Sequence, residues 1–590
     1  MVSNSIDVSV LILRENEHIN YLGEYNSMNI LGINSVYHES SACLIKDGKL
    51  ISAVEEERFS RIKHAKESTI FNPDELPIEA ISFCLKQGGI EMKDVDYIGF
   101  SMLPEERRKN KNYSDQVIEG DWGSESGEEI FYEKLLNVPI KLKEMGFKGE
   151  FKWLSHHLCH AASAYYASPF AEANIIVVDG IAETASTLIA RAEKNQLKVI
   201  KEIHYPNSIG FLWEKISKYL GFSEYDACKV MGLAAYGEPN EFMDKFRELV
   251  RFMPEGAFEV DNSILKFRSN DFSSLEQFFG MPSRNFNDEM TQKYMNIASS
   301  LQELTERVVN HLAKYAFECN PTEYICLAGG TALNCVANGK LIEEGPYNNL
   351  FVPPAANDAG TSLGAALIIY HEHLGIQNRL DIDTAYLGPS FEEKEIEDIL
   401  KENKVSYTYL NNIEEVIARK ISEGAVVSWF QGAMEFGPRA LGNRSLLADP
   451  RDPNMREKLN RIVKHREDFR PFAPSVLTEE ADKWFDIKKE SIASEYMLVG
   501  YSCHPEKKKE IPAVVHVDGT SRIQRVSKSK NSKYYKLIEE FFKLTDVPIL
   551  LNTSFNDREP IVCSPLDAVN TFMKTKIDYL AIGNFLVSRR

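Results

Sequence analysis

The sequence has no long apolar run, no paired cysteines and no excess of positive charge. No stretch reaches the roughly 18–20 consecutive apolar residues that a membrane-spanning helix needs, so no membrane partner is expected. The nine cysteines are scattered singly without a CxxC pair, which argues against a disulfide framework. The acidic N-terminus lacks the features of a signal peptide, and together these absences predict a reducing, cytoplasmic location.

The charge balance disfavours nucleic acid as the main partner. Lys and Arg number 68 and Asp and Glu number 87, so the formal net charge is −19. A polyanion would be repelled by such a chain, although a local basic patch could still bind phosphate. Hydrophobic residues make up 43% and charged residues 26%, as in an ordinary globular enzyme.

A length of 590 residues predicts two or three domains. Residues 1–28 show no clear strand pattern and are interpreted as an N-terminal extension. The chain becomes polar and charged near residue 372, which places a domain boundary at roughly 375–390. The predicted domains are therefore 29–380 and 381–590, joined by a segment too short to let them separate widely.

Several segments predict strands that end in turns or glycines. Residues 29–55 have the pattern of a three-stranded meander with a hairpin turn at Asp47 and Gly48. The apolar strand before Gly329 and Gly330 runs into a helical pattern, which is typical of a phosphate or nucleotide site. Such a glycine pair also occurs where it serves the fold alone. The small residues after Asp358 predict a helix that packs closely onto a sheet.

The segment from Ser155 to His160 combines two histidines with a helical pattern. Ser155 is a plausible N-cap, and His156 and His160 are four residues apart and share one helix face, whereas His157 points elsewhere. An acid at the end of an apolar strand has no packing role, and Asp179 is in that position, while Asp358 opens a glycine-rich helix. Two imidazoles and two carboxylates suit Fe²⁺, Mn²⁺ or Zn²⁺. The alternative is that the histidines only cap the helix and that Asp179 only forms a turn.

A second constellation is locally basic. Residues 429–475 contain nine Lys and Arg against six Asp and Glu, in settings such as Phe436–Arg439 that place arginines beside rigid turns. Arginines held in this way suit phosphate oxygens, although a solvated, ion-paired face would have the same composition. Further along, an apolar strand ends in Asn552, Thr553 and Ser554, which could add neutral hydrogen bonds to a phosphate or amide pocket.

These motifs occur in a recognisable order: His38–Ala42, Glu55–His64, His156–Ala164, Val178–Gly180, Met231–Gly237, Gly329–Asn334, Asn357–Gly360, Phe436–Arg439 and Asn552–Asn556. Over residues 29–590 the chain resembles the NodU/CmcH family of O-carbamoyltransferases. The resemblance implies an α/β protein with two parts. The N-terminal part would be Kae1-like, with the actin/Hsp70-like ATPase fold, and the C-terminal part would be a YrdC-like α/β domain.

The same resemblance implies a reaction in two steps. The C-terminal domain would make carbamoyl-adenylate from carbamoyl phosphate and ATP, with Mg²⁺, and the N-terminal domain would pass the carbamoyl group to an acceptor hydroxyl at a metal site. The metal would be a divalent ion, with Fe²⁺ ranked first only by resemblance. Family acceptors include aminoglycosides, cephems, macrocyclic antibiotics and lipo-chitooligosaccharides, and the sequence does not select among them.

The resemblance also implies a role for individual residues. His156, His160, Asp179 and Asp358 fall on the metal-ligand positions, and His38 and Lys63 fall at the transfer site. His38 could act as the general base for the acceptor hydroxyl or could make only a structural hydrogen bond. The nucleotide-binding positions of the N-terminal domain are Lys229, Gly232, Gly329, Gly330 and Asn334. The positions that bind carbamoyl phosphate and ATP in the C-terminal domain are Arg439, Lys464, Arg470, Arg522, Asn552 and Ser554.

Three other classes of protein share parts of this pattern. Enzymes that make threonylcarbamoyl-adenylate for tRNA use the same two folds, but a net charge of −19 suits tRNA poorly. A metalloprotease would carry Glu inside the HxxxH motif, where this chain has His157, Leu158 and Cys159. A non-enzymatic sensor of the actin/Hsp70 type would not need a complete set of metal ligands and arginines.

Overall fold

The computed structural model describes residues 28–109 and 117–589. The predicted N-terminal extension lies outside the described residues except for Met28, whose backbone exchanges hydrogen bonds with Asp47. Within the described ranges, no helix is both long and apolar enough to cross a bilayer. The nine cysteines are all described and are free thiols.

The first sheet contains the predicted meander. In the order β3-β2-β1-β4-β5, its strands are β1 Asn29–Asn34, β2 Ser41–Lys46, β3 Lys49–Glu55, β4 Tyr97–Phe100 and β5 Glu150–Trp153. The first three strands are antiparallel, and β4 and β5 add to β1 in parallel. Asp47 and Gly48 turn the hairpin with positive φ angles of 50° and 70°, which confirms the predicted turn.

The second sheet repeats this topology. Its order is β10-β9-β6-β7-β8, with strands β6 Glu172–Val178, β7 Ala185–Glu193, β8 Gln196–His204, β9 Tyr324–Ala328 and β10 Asn349–Phe351. Again three antiparallel strands are followed by two that add in parallel. Two copies of one five-stranded unit form the duplicated core of the actin/Hsp70-like ATPase fold, so this expectation is confirmed.

The C-terminal part is built on one mixed sheet of eight strands in the order β11-β18-β17-β12-β13-β16-β14-β15. Its α/β class is the one expected. The strands are β11 Thr408–Tyr409, β12 Val427–Phe430, β13 Arg444–Ala448, β14 Ala473–Leu477, β15 Gln524–Val526, β16 Ile549–Ser554, β17 Tyr579–Ile582 and β18 Phe585–Ser588. Two short ribbons pair Val250–Phe252 with Phe258–Val260 and Gly500–Ser502 with Thr520–Arg522.

Helices cover the sheets. The α-helices of seven or more residues are Ile78–Gly88, Glu125–Leu135, Val138–Glu144, His156–Ala167, Ile209–Tyr219, Ala227–Ala234, Met243–Leu249, Ser273–Phe279, Gln292–Cys319, Cys335–Glu344, Gly360–Ile368, Glu393–Glu402, Ile413–Ser422, Ser532–Thr545 and Pro565–Lys574. Most of the buried apolar side chains of the second and third sheets form one continuous cluster, and the first sheet has a separate cluster on one face.

Close packing of the small-residue helix sets the geometry of the N-terminal site. A Cβ atom added to Gly364 would lie 1.8 Å from the Cys159 carbonyl oxygen, and one added to Gly32 would lie 1.9 Å from the Ser362 carbonyl oxygen. Helix Gly360–Ile368 therefore rests directly on helix His156–Ala167 and on β1. The expectation of a closely packed helix is confirmed, and this packing brings Asp358 beside His156.

The N- and C-terminal parts share an extensive interface. The Asn338 side-chain amide donates to the Leu498 carbonyl at 2.8 Å, and the Ser491 hydroxyl donates to the Leu350 carbonyl at 2.9 Å. The predicted division at residue 380 falls between helices Gly360–Ile368 and Glu393–Glu402 and stays a prediction. The interface matters for function because side chains from both parts meet across it.

Candidate active site

The structure brings His156, His160, Asp179 and Asp358 together. Their ligand atoms all lie within 4.8 Å of one another. The Nε2 atoms of His156 and His160 lie 3.6 and 3.5 Å from Asp358 Oδ1, and 3.7 and 3.4 Å from Asp179 Oδ2. Atoms that share one metal ion through bonds of about 2.0–2.2 Å are separated by similar distances. The predicted metal-ligand set thus forms one compact cluster.

Neighbouring groups orient these ligands. His156 Nδ1 lies 3.1 Å from the Ser101 carbonyl, so Nδ1 donates to this carbonyl and Nε2 faces the cluster. The Gly330 amide donates to Asp179 Oδ1 at 3.2 Å. Both histidines are fully buried, and their Nε2 atoms have no hydrogen-bond partner among the residues that the structure describes. Buried ring nitrogens without a partner, next to two carboxylates, suit a divalent cation that takes their lone pairs.

The charges in the cluster compensate one another. Burial lowers the pKa of His156, but Asp358 and Asp179 outweigh burial and hold this pKa well above its usual range. Burial raises the pKa of Asp179, but His156 and His160 outweigh it and hold this pKa well below its usual range. Two positive and two negative side chains thus balance without a ligand. A divalent ion would take the place of the imidazole protons.

Helix His156–Ala167 is capped differently from the prediction. Ser155 occupies the N-cap position, but within the described structure its side chain accepts no capping hydrogen bond. Instead, Glu183 Oε1 accepts hydrogen bonds from the amides of His156 at 2.9 Å and Leu103 at 3.0 Å. Glu183 reaches the helix because β6 ends beside it. The local sequence around Ser155 gives no sign of this long-range contact.

His38 stands at the more exposed edge of the cluster. Its Nδ1 lies 3.9 Å from Asp358 Oδ2 and 3.8 Å from Glu39 Oε2, and its side chain is 32% exposed. Tyr225 packs edge-on against His38 with ring centres 5.7 Å apart and stacks on His64 at 4.5 Å. A substrate can therefore reach the cluster from the side of His38.

A second cluster lies in the C-terminal part and is centred on Lys464. Lys464 Nζ donates to the Ser554 carbonyl at 2.6 Å and the Asn556 side-chain oxygen at 2.7 Å. Burial lowers the pKa of Lys464 well below its usual range, and the charges of Arg466 and Arg470 lower it further. The charge of Lys63, which is exposed on a loop of the N-terminal part, acts on the pKa of Lys464 in the same direction.

Arginines surround this lysine without enough carboxylates to balance them. Burial, followed by the charge of Arg522, lowers the pKa of Arg439 to about 9. Burial and then the charges of Arg470 and Arg522 lower the pKa of Arg466 to about 9. The Nε atoms of Arg439, Arg466 and Arg522 are buried and have no hydrogen-bond partner in the described parts of the chain. This cation cluster (Arg439, Lys464, Arg466, Arg470 and Arg522) has the chemistry of an anion site.

Helix Ala227–Ala234 of the N-terminal part packs against the cation cluster. A Cβ atom added to Gly232 would lie 3.4 Å from Pro471 Cδ and 3.9 Å from Arg470 Cα. Lys229 Nζ lies 3.3 Å from Glu467 Oε1, and Arg470 Nη1 lies 3.9 Å from Glu467 Oε2. Two of the five nucleotide-binding residues predicted in the N-terminal domain, Lys229 and Gly232, therefore lie at the interface beside the cation cluster.

Comparison with known families assigns both parts of the chain. The family model for the carbamoyltransferase N-terminus matches residues 29–367, and the family model for the carbamoyltransferase C-terminus matches residues 418–589. The chain belongs to the carbamoyltransferase family. The resemblance found in the sequence is thus confirmed, and the protein is an enzyme of this class.

Named relatives of this carbamoyltransferase include nodulation proteins. Nodulation protein NolNO of Sinorhizobium fredii is 37% identical, over 94% of this chain and 80% of the relative. Nodulation protein NolO of Bradyrhizobium diazoefficiens is 37% identical, over 74% of this chain and 79% of the relative. Nodulation protein U of Sinorhizobium fredii is 28% identical, over 90% and 94%. The similarity therefore extends through both parts of the carbamoyltransferase.

Two residues assigned to ligand binding by resemblance point inward in this carbamoyltransferase. Asn334 Oδ1 accepts the Ala337 amide at 3.1 Å and caps a helix, and its Nδ2 donates to Gln302 Oε1 at 2.9 Å. Asn552 is 1% exposed, and its Nδ2 donates to the Ser475 hydroxyl at 3.0 Å and to Gln524 Oε1 at 3.1 Å. Both side chains make hydrogen bonds within the protein.

The structure also adds residues to the predicted site of the carbamoyltransferase. Arg466 joins the cation cluster, and its guanidinium lies over the Phe472 ring at 4.2 Å. Asn556 accepts from both Lys464 and Ser554. Each lies two residues from a predicted site residue, so the signal was present in the same motifs. Gly329 and Gly330 follow β9, and Gly330 contacts Asp179 and so belongs to the metal-ligand cluster.

Proposed function

We propose that this enzyme makes carbamoyl-adenylate from carbamoyl phosphate and ATP and transfers the carbamoyl group to a hydroxyl of a small-molecule natural product or saccharide. One observation carries the proposal: the cation cluster holds buried guanidinium N–H groups that have no partner in the described structure. An uncompensated group of cations is costly unless an anionic ligand completes it. Carbamoyl phosphate and the ATP phosphates are ligands of that kind.

The first half-reaction balances with one water. Carbamoyl phosphate and water give carbamate and phosphate, and a carbamate oxygen then attacks the α-phosphorus of ATP, which releases pyrophosphate. The product, carbamoyl-adenylate, carries AMP as its leaving group. Lys464 and the arginines would hold the phosphate oxygens and stabilise the charge that develops during both displacements. Mg²⁺ would accompany ATP as its usual counter-ion.

The second half-reaction takes place, in this proposal, beside His38. His156, His160, Asp179 and Asp358 would hold a divalent ion. The Nε2 atoms of the two histidines, which have no hydrogen-bond partner in the described structure, support this fit. When bound, the ion would supply Lewis acidity toward an anionic or carbonyl oxygen. Iron is proposed from the family resemblance, while the ligand set also suits Mn²⁺ or Zn²⁺. His38 has Nδ1 on the side of Asp358 and a partly exposed ring, so this ring could accept the proton of the acceptor hydroxyl.

The acceptor is proposed as a class. The named relatives are nodulation proteins. The family that the sequence resembles carbamoylates hydroxyls of saccharides and antibiotics. A hydroxyl-bearing small molecule that can reach the exposed edge of His38 fits the geometry. Both co-substrates are cytoplasmic metabolites, which supports the proposed location.

Detection of the intermediate tests this proposal. The enzyme is mixed with ATP and carbamoyl phosphate and quenched, and carbamoyl-adenylate and pyrophosphate are measured; a host metabolite extract is then searched for products heavier by HNCO. We expect Lys464→Ala to lose adenylate formation and to regain product formation when carbamoyl-adenylate is supplied. An enzyme that forms adenylate only from threonine and bicarbonate would instead be of the tRNA-modification type.

A further inference from the structure

The turn that carries Arg439 is held by two side chains of the N-terminal part. The Gly437 amide donates to Glu55 Oε1 at 2.8 Å, and Arg58 Nη2 donates to the Gly437 carbonyl at 2.8 Å. Glu55 is 4% exposed and Arg58 is 2% exposed. Both backbone polar groups of Gly437 are therefore hydrogen-bonded to buried side chains of the N-terminal part. Glu55 is 382 residues and Arg58 is 379 residues away in sequence.

The pair itself is rigid. Arg58 Nη2 lies 2.9 Å from Glu55 Oε1, and Arg58 Nη1 lies 2.7 Å from Glu57 Oε1. A planar guanidinium that donates in fixed directions to two carboxylates and a carbonyl has little freedom to rotate. Gly437 also packs closely against the N-terminal part, because a Cβ atom added to it would lie 2.5 Å from the Pro354 carbonyl oxygen. The position of the turn is thus fixed from the N-terminal part.

Glu57, which pairs with Arg58, also holds the loop that carries Lys63 and His64. Glu57 Oε2 accepts the His64 amide at 2.8 Å, and the His64 carbonyl accepts the Glu39 amide at 2.8 Å. Lys63 precedes His64 on this loop, and His38 precedes Glu39. A continuous set of hydrogen bonds, buried at Arg58 and partly exposed from Glu57 onward, therefore joins the Arg439 turn to the segment that carries His38.

We propose that Arg58 and Glu55 are positioning residues that hold Arg439 in the anion site and keep this site in register with the His38 segment. The inference rests on the proposed function, because it assigns the cation cluster to carbamoyl phosphate and ATP. Neither Arg58 nor Glu55 needs to touch the substrate. Their effect passes through the backbone of Gly437, two residues before Arg439.

Steady-state adenylate formation with defined variants tests this role. Arg58→Lys keeps the positive charge but loses the planar guanidinium that donates to Glu55, Glu57 and Gly437. We therefore expect the KM for carbamoyl phosphate to rise about tenfold or more, with a smaller change in kcat. Glu55→Gln retains an oxygen that accepts the Gly437 amide and is expected to stay within about threefold of the native KM. Glu55→Ala removes this acceptor and should behave like Arg58→Lys.

Arg107→Lys is the matched control, since Arg107 is equally buried and its hydrogen bonds, among the described residues, all go to Glu128, Ala182 and Glu183 of the N-terminal part. It should leave the KM for carbamoyl phosphate in adenylate formation unchanged. If Arg58→Lys does not fold, the two Glu55 variants decide. A native KM in folded Glu55→Ala, together with loss of adenylate formation in Lys464→Ala, would overturn this role and leave the proposed function standing. Retention of adenylate formation in Lys464→Ala would overturn the proposed function itself.

Discussion

The two candidate sites of this carbamoyltransferase treat charge in opposite ways. In the metal-ligand cluster, two histidines and two aspartates lie within 4.8 Å and their charges compensate one another. In the cation cluster, burial and then the charges of neighbouring arginines lower the pKa of Lys464 and of Arg466, and several buried N–H groups have no partner in the described structure. The first cluster is complete as a set of ligands within the N-terminal part. The second lies against the interface and keeps an excess of buried positive charge.

This difference predicts how each site responds to the loss of one member. Removing a histidine from the balanced cluster leaves two buried carboxylates that repel each other. Removing an arginine from the unbalanced cluster relieves repulsion and weakens only ligand binding. A substitution in the first cluster should therefore lower both stability and activity. A substitution in the cation cluster should lower activity but raise the stability of the ligand-free protein.

The largest effect is expected for His160→Ala. Loss of one of four ligands should reduce bound metal and lower transfer from supplied carbamoyl-adenylate by at least about 100-fold, since even changes to outer-shell partners cost 10–100-fold. Adenylate formation should remain. Metal content is measured by mass spectrometry, and transfer is measured with the synthetic intermediate.

His157→Phe is the control on the same helix. His157 is buried but lies outside the metal-ligand cluster, and burial lowers its pKa to about 3. Native metal content and transfer are expected in this variant. Full metal content and full transfer in His160→Ala would show that the ion binds elsewhere.

The next effect is expected for Arg466→Met, which keeps much of the contact with Phe472 and removes a cation. The KM of adenylate formation for carbamoyl phosphate or ATP should rise about tenfold or more, because charge-assisted hydrogen bonds are lost. The ligand-free protein should unfold at a higher temperature, because repulsion with Arg470 and Arg522 is relieved.

Arg444→Met supplies the contrast for this prediction. Arg444 is also fully buried, but its guanidinium donates to the Gln431 carbonyl at 2.6 Å and the Pro389 carbonyl at 2.9 Å. Its removal takes a donor from each of these carbonyls and should lower the melting temperature. If Arg466→Met and Arg444→Met destabilise the ligand-free protein equally, the cation cluster is not under repulsion.

Much of this arrangement could be predicted from local sequence. The cluster of His156, His160, Asp179 and Asp358 could be predicted because a helix places residues four apart on one face and because the acid at the end of β6 has no packing role. The meander followed from its Asp47-Gly48 turn. The arginines near Lys464 lie in one basic segment, so their clustering needs no knowledge of distant contacts.

Other features depend on contacts that no local pattern encodes. Glu183 caps a helix that begins 27 residues earlier, and Glu55 bonds to an amide 382 residues later. Asn552 lies on β16 beside Ser554, but one hydrogen-bonds within the core and the other binds Lys464. The pattern of an apolar strand that ends in Asn-Thr-Ser does not tell where the strand leaves the core.

A smaller effect is expected for Glu183→Ala. The amides of His156 and Leu103 lose their acceptor, which should lower the free energy of unfolding by about 1–3 kcal/mol. Metal affinity should fall about tenfold, because the helix end that carries His156 is less well fixed. Glu183→Gln keeps an acceptor oxygen and should recover most of both losses. Chemical denaturation and metal titration measure the two effects, and equal behaviour of both variants would contradict the capping role.

The smallest effect is expected at Asn334. It decides whether this side chain binds a nucleotide, as the family resemblance implies, or only caps a helix, as the structure shows. If its side chain only caps helix Cys335–Glu344, Asn334→Ala should lower the free energy of unfolding by about 1 kcal/mol and Asn334→Asp by less, because Asp is an equally good N-cap. Neither variant should change the KM for ATP, since both polar atoms of Asn334 already have partners in the protein. A KM that rises in the stable Asn334→Asp variant would show that the side chain leaves Gln302 to contact the nucleotide. The N-terminal part would then bind a nucleotide of its own. That nucleotide would lie near the His/Asp cluster, whose side-chain charges already balance without it.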